Sequence, residues 1–167
     1  NEQMAIMHYE AILNINSYDI ETQEILAQYY TENGPKNRAI EHYEQILMYD
    51  SGNVNAVETL AKLYEEMQNY DKAIDYYTKA LNIDFDIYAA IGLALICKTQ
   101  GKIDEAIERF ENLIKEDPKN ARLYLDLSDC YLQNKDKENA IKVLENCLQI
   151  DGRNSLVRNN LEKLKKA

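Results

Sequence analysis

Two histidines, three cysteines and many carboxylates are the groups through which this sequence could do chemistry. His8 and His42 stand 34 residues apart. If that spacing is a structural repeat, the two imidazoles lie roughly 10 Å apart, the usual separation of packed helices. That is too far for sharing a zinc ion, whose bonds to nitrogen are about 2 Å, so both are expected to be partly exposed surface histidines. No serine, cysteine or lysine has a histidine beside it in a nucleophile motif, and there is no glycine-rich phosphate loop. Cys97, Cys130 and Cys147 are odd in number and have no close-spaced pair of the zinc-binding kind. They are expected to be buried free thiols acting as small apolar side chains, which suits a reducing compartment. The carboxylates are expected on solvated helix faces, and nothing marks two of them as a catalytic pair. No catalytic residue, metal or cofactor is therefore expected, and the chain reads as a non-enzyme.

Composition points the same way. The chain has 167 residues, 46% of them hydrophobic, enough to bury a core. Five glycines and two prolines are too few for a loop-rich or many-stranded fold. A net charge of −10 excludes nucleic acid as a natural ligand. The charge is graded: residues 1–53 carry −7, residues 54–120 carry −5 and residues 121–167 carry +2. Such a gradient can orient a charged partner as well as confer solubility. No apolar run could span a membrane, and no signal peptide is visible. A cytoplasmic location is the expectation, although the chain opens in the middle of a repeat, which leaves room for a targeting segment upstream.

The elements that must position these groups follow from an internal repeat. Ala-Ile recurs at Ala5-Ile6, Ala39-Ile40, Ala73-Ile74, Ala106-Ile107 and Ala140-Ile141, at spacings of 34, 34, 33 and 34. Four residues after each alanine stands Tyr9, Tyr43, Tyr77, Phe110 or Leu144; eight after it stands Leu13, Leu47, Leu81, Ile114 or Leu148. Thirteen before it come Leu26, Leu60, Leu93 and Leu127, followed by Ala27, Ala61, Ala94 and Ser128, then by Tyr30, Tyr64, Cys97 and Tyr131 three positions on. Each set falls on one face of a helix, so each unit is two amphipathic helices, A and then B. Gly34 and Gly101 suit the left-handed residue that ends a helix. Asp71 and Asp104 suit the start of helix B, where free amides favour a carboxylate. Pro118 stops the helix before it.

The 34-residue pattern resembles the tetratricopeptide repeat over nearly the whole chain. The Leu-Ala pair and tyrosine of helix A, the alanine and aromatic of helix B and the turn proline carry the resemblance. No tryptophan stands near the start of helix A, where Gln23, Val57, Ala90 and Tyr124 occur, and only Pro118 keeps the turn proline. The resemblance implies an all-α, right-handed α-solenoid of stacked helix–turn–helix units. The layout is a single domain over 1–167: a lone helix B at 1–16, full repeats at 20–53, 54–86, 87–120 and 121–154, and a capping helix at 155–167. The third interval is one residue short near Phe85, where a change of packing angle is expected.

In that family, positions 2, 5 and 9 of helix A line a concave groove that binds peptides or partner helices. Here those positions hold Glu21, Glu24 and Gln28; Asn55, Glu58 and Lys62; Tyr88, Ile91 and Leu95; and Arg122, Leu125 and Asp129. The expected partner is a protein or peptide with apolar side chains against Tyr88, Ile91 and Leu95 and a basic flank against Glu21, Glu24 and Glu58. The competing expectation is that Ile91 and Leu95 belong to the core. A subgroup of the family clamps chaperone C-termini with lysine, asparagine and arginine. Neither the Glu24/Gln28, Thr59, Tyr88/Gly92 set nor the Glu58/Lys62, Gly92, Arg122/Asp126 set matches it. The function expected is a scaffold or adaptor. Self-assembly, or service as a regulatory segment of a larger enzyme, are the alternatives. The half-repeat at 1–16, whose core positions are Ala5, Ile6, Tyr9, Ile12 and Leu13, is expected to leave apolar surface uncovered. That surface would suit an upstream helix or a second copy.

Overall fold

Apolar residues repeated at helical offsets demand helices that pack in pairs. The structure, a computed structural model that describes residues 2–84 and 86–166, has that form: ten helices and no strand among the described residues. The chain divides into two compact units, Asn1–Asp86 and Ile87–Ala167. The first unit holds α1 (Glu2–Ile15), α2 (Ile20–Asn33), α3 (Lys36–Tyr49), α4 (Val54–Glu66) and α5 (Tyr70–Ile83). The second holds α6 (Ile87–Thr99), α7 (Ile103–Glu116), α8 (Ala121–Gln133), α9 (Lys137–Ile150) and α10 (Ser155–Lys166). Inside each unit every helix packs on the next in sequence. The change of packing expected at Phe85 lies outside the described residues.

The helix ends show how the local sequence stops and restarts the chain. Asn53, Asn69 and Asp136 cap α4, α5 and α9, their side-chain oxygens accepting the amides of Ala56, Lys72 and Asn139. Asp71 and Asp104 sit inside the first turns of α5 and α7 rather than at the caps, where they still face the positive helix end. The A-to-B turn places Gln68, Gly101 and Lys135 at positive φ, 59°, 76° and 62°. In each case the amide of the next residue reaches back five residues, Asn69 to Tyr64, Lys102 to Cys97 and Asp136 to Tyr131, at 2.8–2.9 Å. That bond holds the left-handed residue even where it is not glycine. Gly34, at the equivalent position, is extended instead (φ −126°, ψ −170°), because Pro35 follows and disfavours helical backbone before it. Glycine is required there for space: a Cβ would lie 2.5 Å from Cδ1 of Tyr30.

From the first full repeat onward the repeated alanines are buried. Ala39, Ala73, Ala106 and Ala140 of the B helices are fully buried, as are Ala27, Ala61 and Ala94 of the A helices. Ser128 takes the small position of α8, and its Oγ donates to the carbonyl of Ala140 at 3.1 Å. Tyr43, Tyr77, Phe110 and Leu144 fill the space beside the contacts. The three cysteines are buried free thiols, and burial pushes the Cys130 thiol up to about 11. On α1 the expected core residues are less covered: Ala5 and Ile12 are exposed and Ile6, Tyr9 and Leu13 half-buried.

Replacing Ala73, which has no exposed surface, by leucine is expected to overpack the α4–α5 contact and cost about 1–3 kcal/mol. Thermal unfolding checks this; an unchanged midpoint contradicts the register.

Candidate partner-binding site

The A-helix positions singled out by the sequence have unlike environments in the two units. In the first unit Glu21, Glu24 and Gln28 on α2 and Asn55 and Lys62 on α4 are exposed, and Glu58 is half-buried. In the second, Tyr88 is 70% exposed, Arg122 and Asp129 are exposed, and Ile91, Leu95 and Leu125 are half-buried. Ile91 and Leu95 pack against the cluster around Phe110 and Leu127, and Leu125 against the cluster around Leu144 and Val157. The apolar stripe is thus partly core and partly surface. Helix α6 buries Ala89, Gly92, Leu93, Ala94, Ile96 and Cys97.

Charge pairing separates the units further. In the second, Lys98 of α6 reaches Oδ1 of Asp126 at 3.4 Å and Oδ2 of Asp129 at 2.6 Å, while Arg122 Nε donates to Oδ2 of Asp126 at 2.8 Å. Asp126 is only 7% exposed, and this burial is sustained by two cations. Desolvation works against the charge on Lys98, but its hydrogen bond to Asp129 and the charges of Asp129 and Asp126 outweigh it and raise its pKa. These charges of α6 and α8 therefore neutralise one another. In the first unit the paired bases Lys36, Arg38 and Lys72 engage Glu66, Glu10 and Glu44. Glu21, Glu24 and Glu58 have no basic partner among the described residues.

Glu24, Gln28 and Asn55 come together around a cavity of about 430 Å³, joined there by Thr31, Glu32, Tyr43 and Thr59. In the second unit Leu125 and Asp129 border an opening of about 240 Å³ that Asn160 and Lys163 of α10 complete. The sequence reading did not single out Tyr43 or Glu32 as site residues, nor Lys98 with Asp126. The available signal was the difference between repeats at one position: Thr31 in the first full repeat where Glu65 stands in the second.

His42 is half-buried, in keeping with a partly exposed histidine, but its ring is held by its neighbours. Its ring stacks on Tyr30 with centroids 5.6 Å apart, and Nδ1 lies 2.6 Å from Oε1 of Gln23, so Nδ1 carries the proton and donates. Nε2 is buried without a partner. Burial first, and the Arg38 charge second, hold its pKa below the ordinary 6.5. Among the described residues no three His, Cys, Asp or Glu side chains gather as a metal site.

Paired helices in register, joined by short turns and built on small residues at 34-residue spacing, define a helical-repeat scaffold. The family model for the tetratricopeptide repeat matches residues 36–96 and 99–164, and the chain belongs to that family. Its fold is the all-α solenoid of tetratricopeptide units, which in general is a protein-interaction scaffold. Among solved structures it is similar to two crystal structures of MamA. One is 25% identical with a TM-score of 0.77, covering 87% of this chain and 80% of that one. The other is also 25% identical, with a TM-score of 0.78 and coverage of 89% and 88%. A tetratricopeptide-repeat protein from Parabacteroides merdae is 28% identical with a TM-score of 0.69, covering 88% of this chain and 58% of that one. A search of curated proteins gave no match. Among the described residues no helix is long and apolar enough to cross a membrane.

The lowered pKa of His42 makes a signed prediction. Above about pH 6.5 the imidazole is neutral in both the folded and unfolded chain. Below it the unfolded chain takes up the proton more readily, so stability falls as pH drops towards the folded-state pKa. Measured by urea unfolding, the natural chain is expected to lose stability relative to His42→Phe between pH 7.5 and pH 5.5, so that the unfolding free energy of the natural chain minus that of the variant falls. A difference that stays constant or rises contradicts this.

Proposed function

We propose that the chain is a non-catalytic adaptor that holds a peptide or helix of a partner protein against its A-helix faces. A basic flank of the partner meets α2 and α4, and apolar side chains meet α6. The observation that carries the reading is the set of carboxylates Glu21, Glu24 and Glu58, which no base neutralises among the described residues. Charges left open on a folded surface act on whatever approaches, mainly by steering and orientation. The second unit, with Asp126 and Asp129 already paired, offers little net charge. It offers the exposed ring of Tyr88 and the outer edges of Ile91 and Leu95 instead. Arg122, Leu125 and Asp129 extend this face along α8, as Asn55 and Lys62 extend the other along α4. The three reduced, buried thiols suit a reducing compartment, and we place the protein in the cytoplasm.

A second reading, self-association through α1, is favoured by Met4 and Met7, 58% and 65% exposed beside an opening of about 330 Å³ that His8 also borders. A mass in light scattering that does not change with concentration counts against it.

Peptides selected from a random displayed library against the full chain test the adaptor reading. They are expected to be enriched in basic residues next to apolar ones, and to perturb amide signals of α2, α4 and α6. Replacing Glu21, Glu24 and Glu58 together by glutamine should slow association and flatten its dependence on salt. Tyr88→Asp should weaken binding with the helical signal intact. It is a cleaner probe than charging Ile91 and Leu95, which also touch the core. Peptides without basic enrichment, or perturbations confined to the B helices, contradict the reading.

A further inference from the structure

We propose that Met4, Met7 and His8 of α1 form a site for one soft monovalent metal ion, copper(I), held by two thioethers and an imidazole. The proposal goes beyond the adaptor reading and does not rest on it. The three side chains are exposed and together border an opening of about 330 Å³. They stand at i, i+3 and i+4, the spacings that bring side chains together on one turn of a helix. Methionine has three rotatable bonds and a polarisable sulfur, so both thioethers can turn towards an ion held on the His8 ring.

The repeat register shows that packing does not call for these methionines. Met4 precedes the repeated alanine, where the full repeats have Arg38, Lys72, Glu105 and Asn139. Met7 is the second residue after it, where they have Glu41, Asp75, Glu108 and Lys142. All of those side chains are polar and exposed, although each of their helices packs on an A helix. An A helix laid on α1 in the same way would leave Met4 and Met7 at the surface. His8 also departs from its counterpart. His42 stacks on Tyr30 and is held through Nδ1 by Gln23. His8 has neither a hydrogen bond nor a ring contact among the described residues, so its ring nitrogens are left to act as ligands.

The donor set selects the ion. Calcium and magnesium need oxygen ligands, and none of the three side chains carries one. Zinc is held by thiolate, imidazole and carboxylate, of which this opening offers one imidazole. Thioether sulfur combined with imidazole suits copper(I). No base stands on α1 to repel a cation, and residues 1–53 carry −7. The stronger sulfur ligands, Cys97, Cys130 and Cys147, are buried in the folded chain.

The test uses the full chain with isotopically labelled methionine methyls and histidine rings, titrated with copper(I) kept reduced by ascorbate under nitrogen. Met48 and Met67, 71% and 43% exposed, are the built-in controls for any exposed thioether. Signals of Met4, Met7 and His8 are expected to shift and saturate at one ion per chain, with those of Met48, Met67 and His42 unmoved. Zinc(II) is expected to leave all the methyls in place. Met4→Leu combined with Met7→Leu conserves volume and apolar surface but removes both sulfurs, so self-association through α1 would survive it. Copper affinity, measured by competition with a chromogenic copper(I) chelator, should fall at least about ten-fold in that variant and in His8→Leu. If the double variant loses helical signal, His8→Leu alone decides. Equal shifts of Met48 and Met67 overturn the proposal, as do copper uptake by the cysteines, zinc shifting the Met4 and Met7 methyls, no saturation at one ion per chain, or an affinity unchanged in the folded variants. Such a failure leaves the adaptor reading standing, because its peptides are mapped on α2, α4 and α6.

Discussion

The fold depends on helices coming close enough together that only a small side chain fits between them. Ala39, Ala73, Ala106 and Ala140 have no exposed surface, and on the facing helices Ala27, Ala61 and Ala94 have none either. Ala94 and Ala106 share one cluster and Ser128 bonds to Ala140, while the larger neighbours Tyr43, Tyr77, Phe110 and Leu144 fill the core. The carbonyl of Ala140 lies within hydrogen-bond reach of Ser128 on the neighbouring helix, which measures how close that approach is. Ala5 shows the converse. It has the same place in the repeat, but it is exposed because no helix of the described chain covers it. The contact, not the residue type, creates the burial.

Polar side chains then tie one helix pair to the next. Tyr30 donates to Glu10 at 2.7 Å, Tyr64 to Glu44 at 2.8 Å and Tyr131 to Glu111 at 2.7 Å, each across 20 residues. Lys165 takes the tyrosine's place at the last joint and reaches Glu145 at 2.6 Å. Burial, with the Glu111 carboxylate behind it, pushes the Tyr131 phenol up to about 12. These charge-assisted bonds engage acids of the B helices with the following A helix. Glu21 and Glu24 of α2 and Glu58 of α4 make no such bond among the described residues.

Much of this was legible in the sequence, and the misses have physical causes. Periodicity reports which face of a helix is buried, so the helices, the alanines, the tyrosine ladders and the buried cysteines could be read directly. It does not report what stands opposite. Asp126 looked like surface because acids usually are; its burial follows from Lys98 and Arg122 arriving from two sides. The left-handed turn residues Gln68 and Lys135 carry no glycine signal, since a backbone hydrogen bond rather than a missing Cβ holds them. Gly34 carried the signal but adopts an extended conformation because of Pro35. Ile91 and Leu95 of the apolar stripe on α6 proved to pack on its own core.

If close approach at the alanines carries the fold, damage at one of them should spread outward through neighbouring helices. Hydrogen exchange followed by mass spectrometry on the natural chain and on Ala140→Leu measures this within the second unit. Protection should fall most in α9 and its neighbours α8 and α10, less in α7 and least in α6. Equal loss across α6 to α10, or no loss in α8 and α10, would contradict the account.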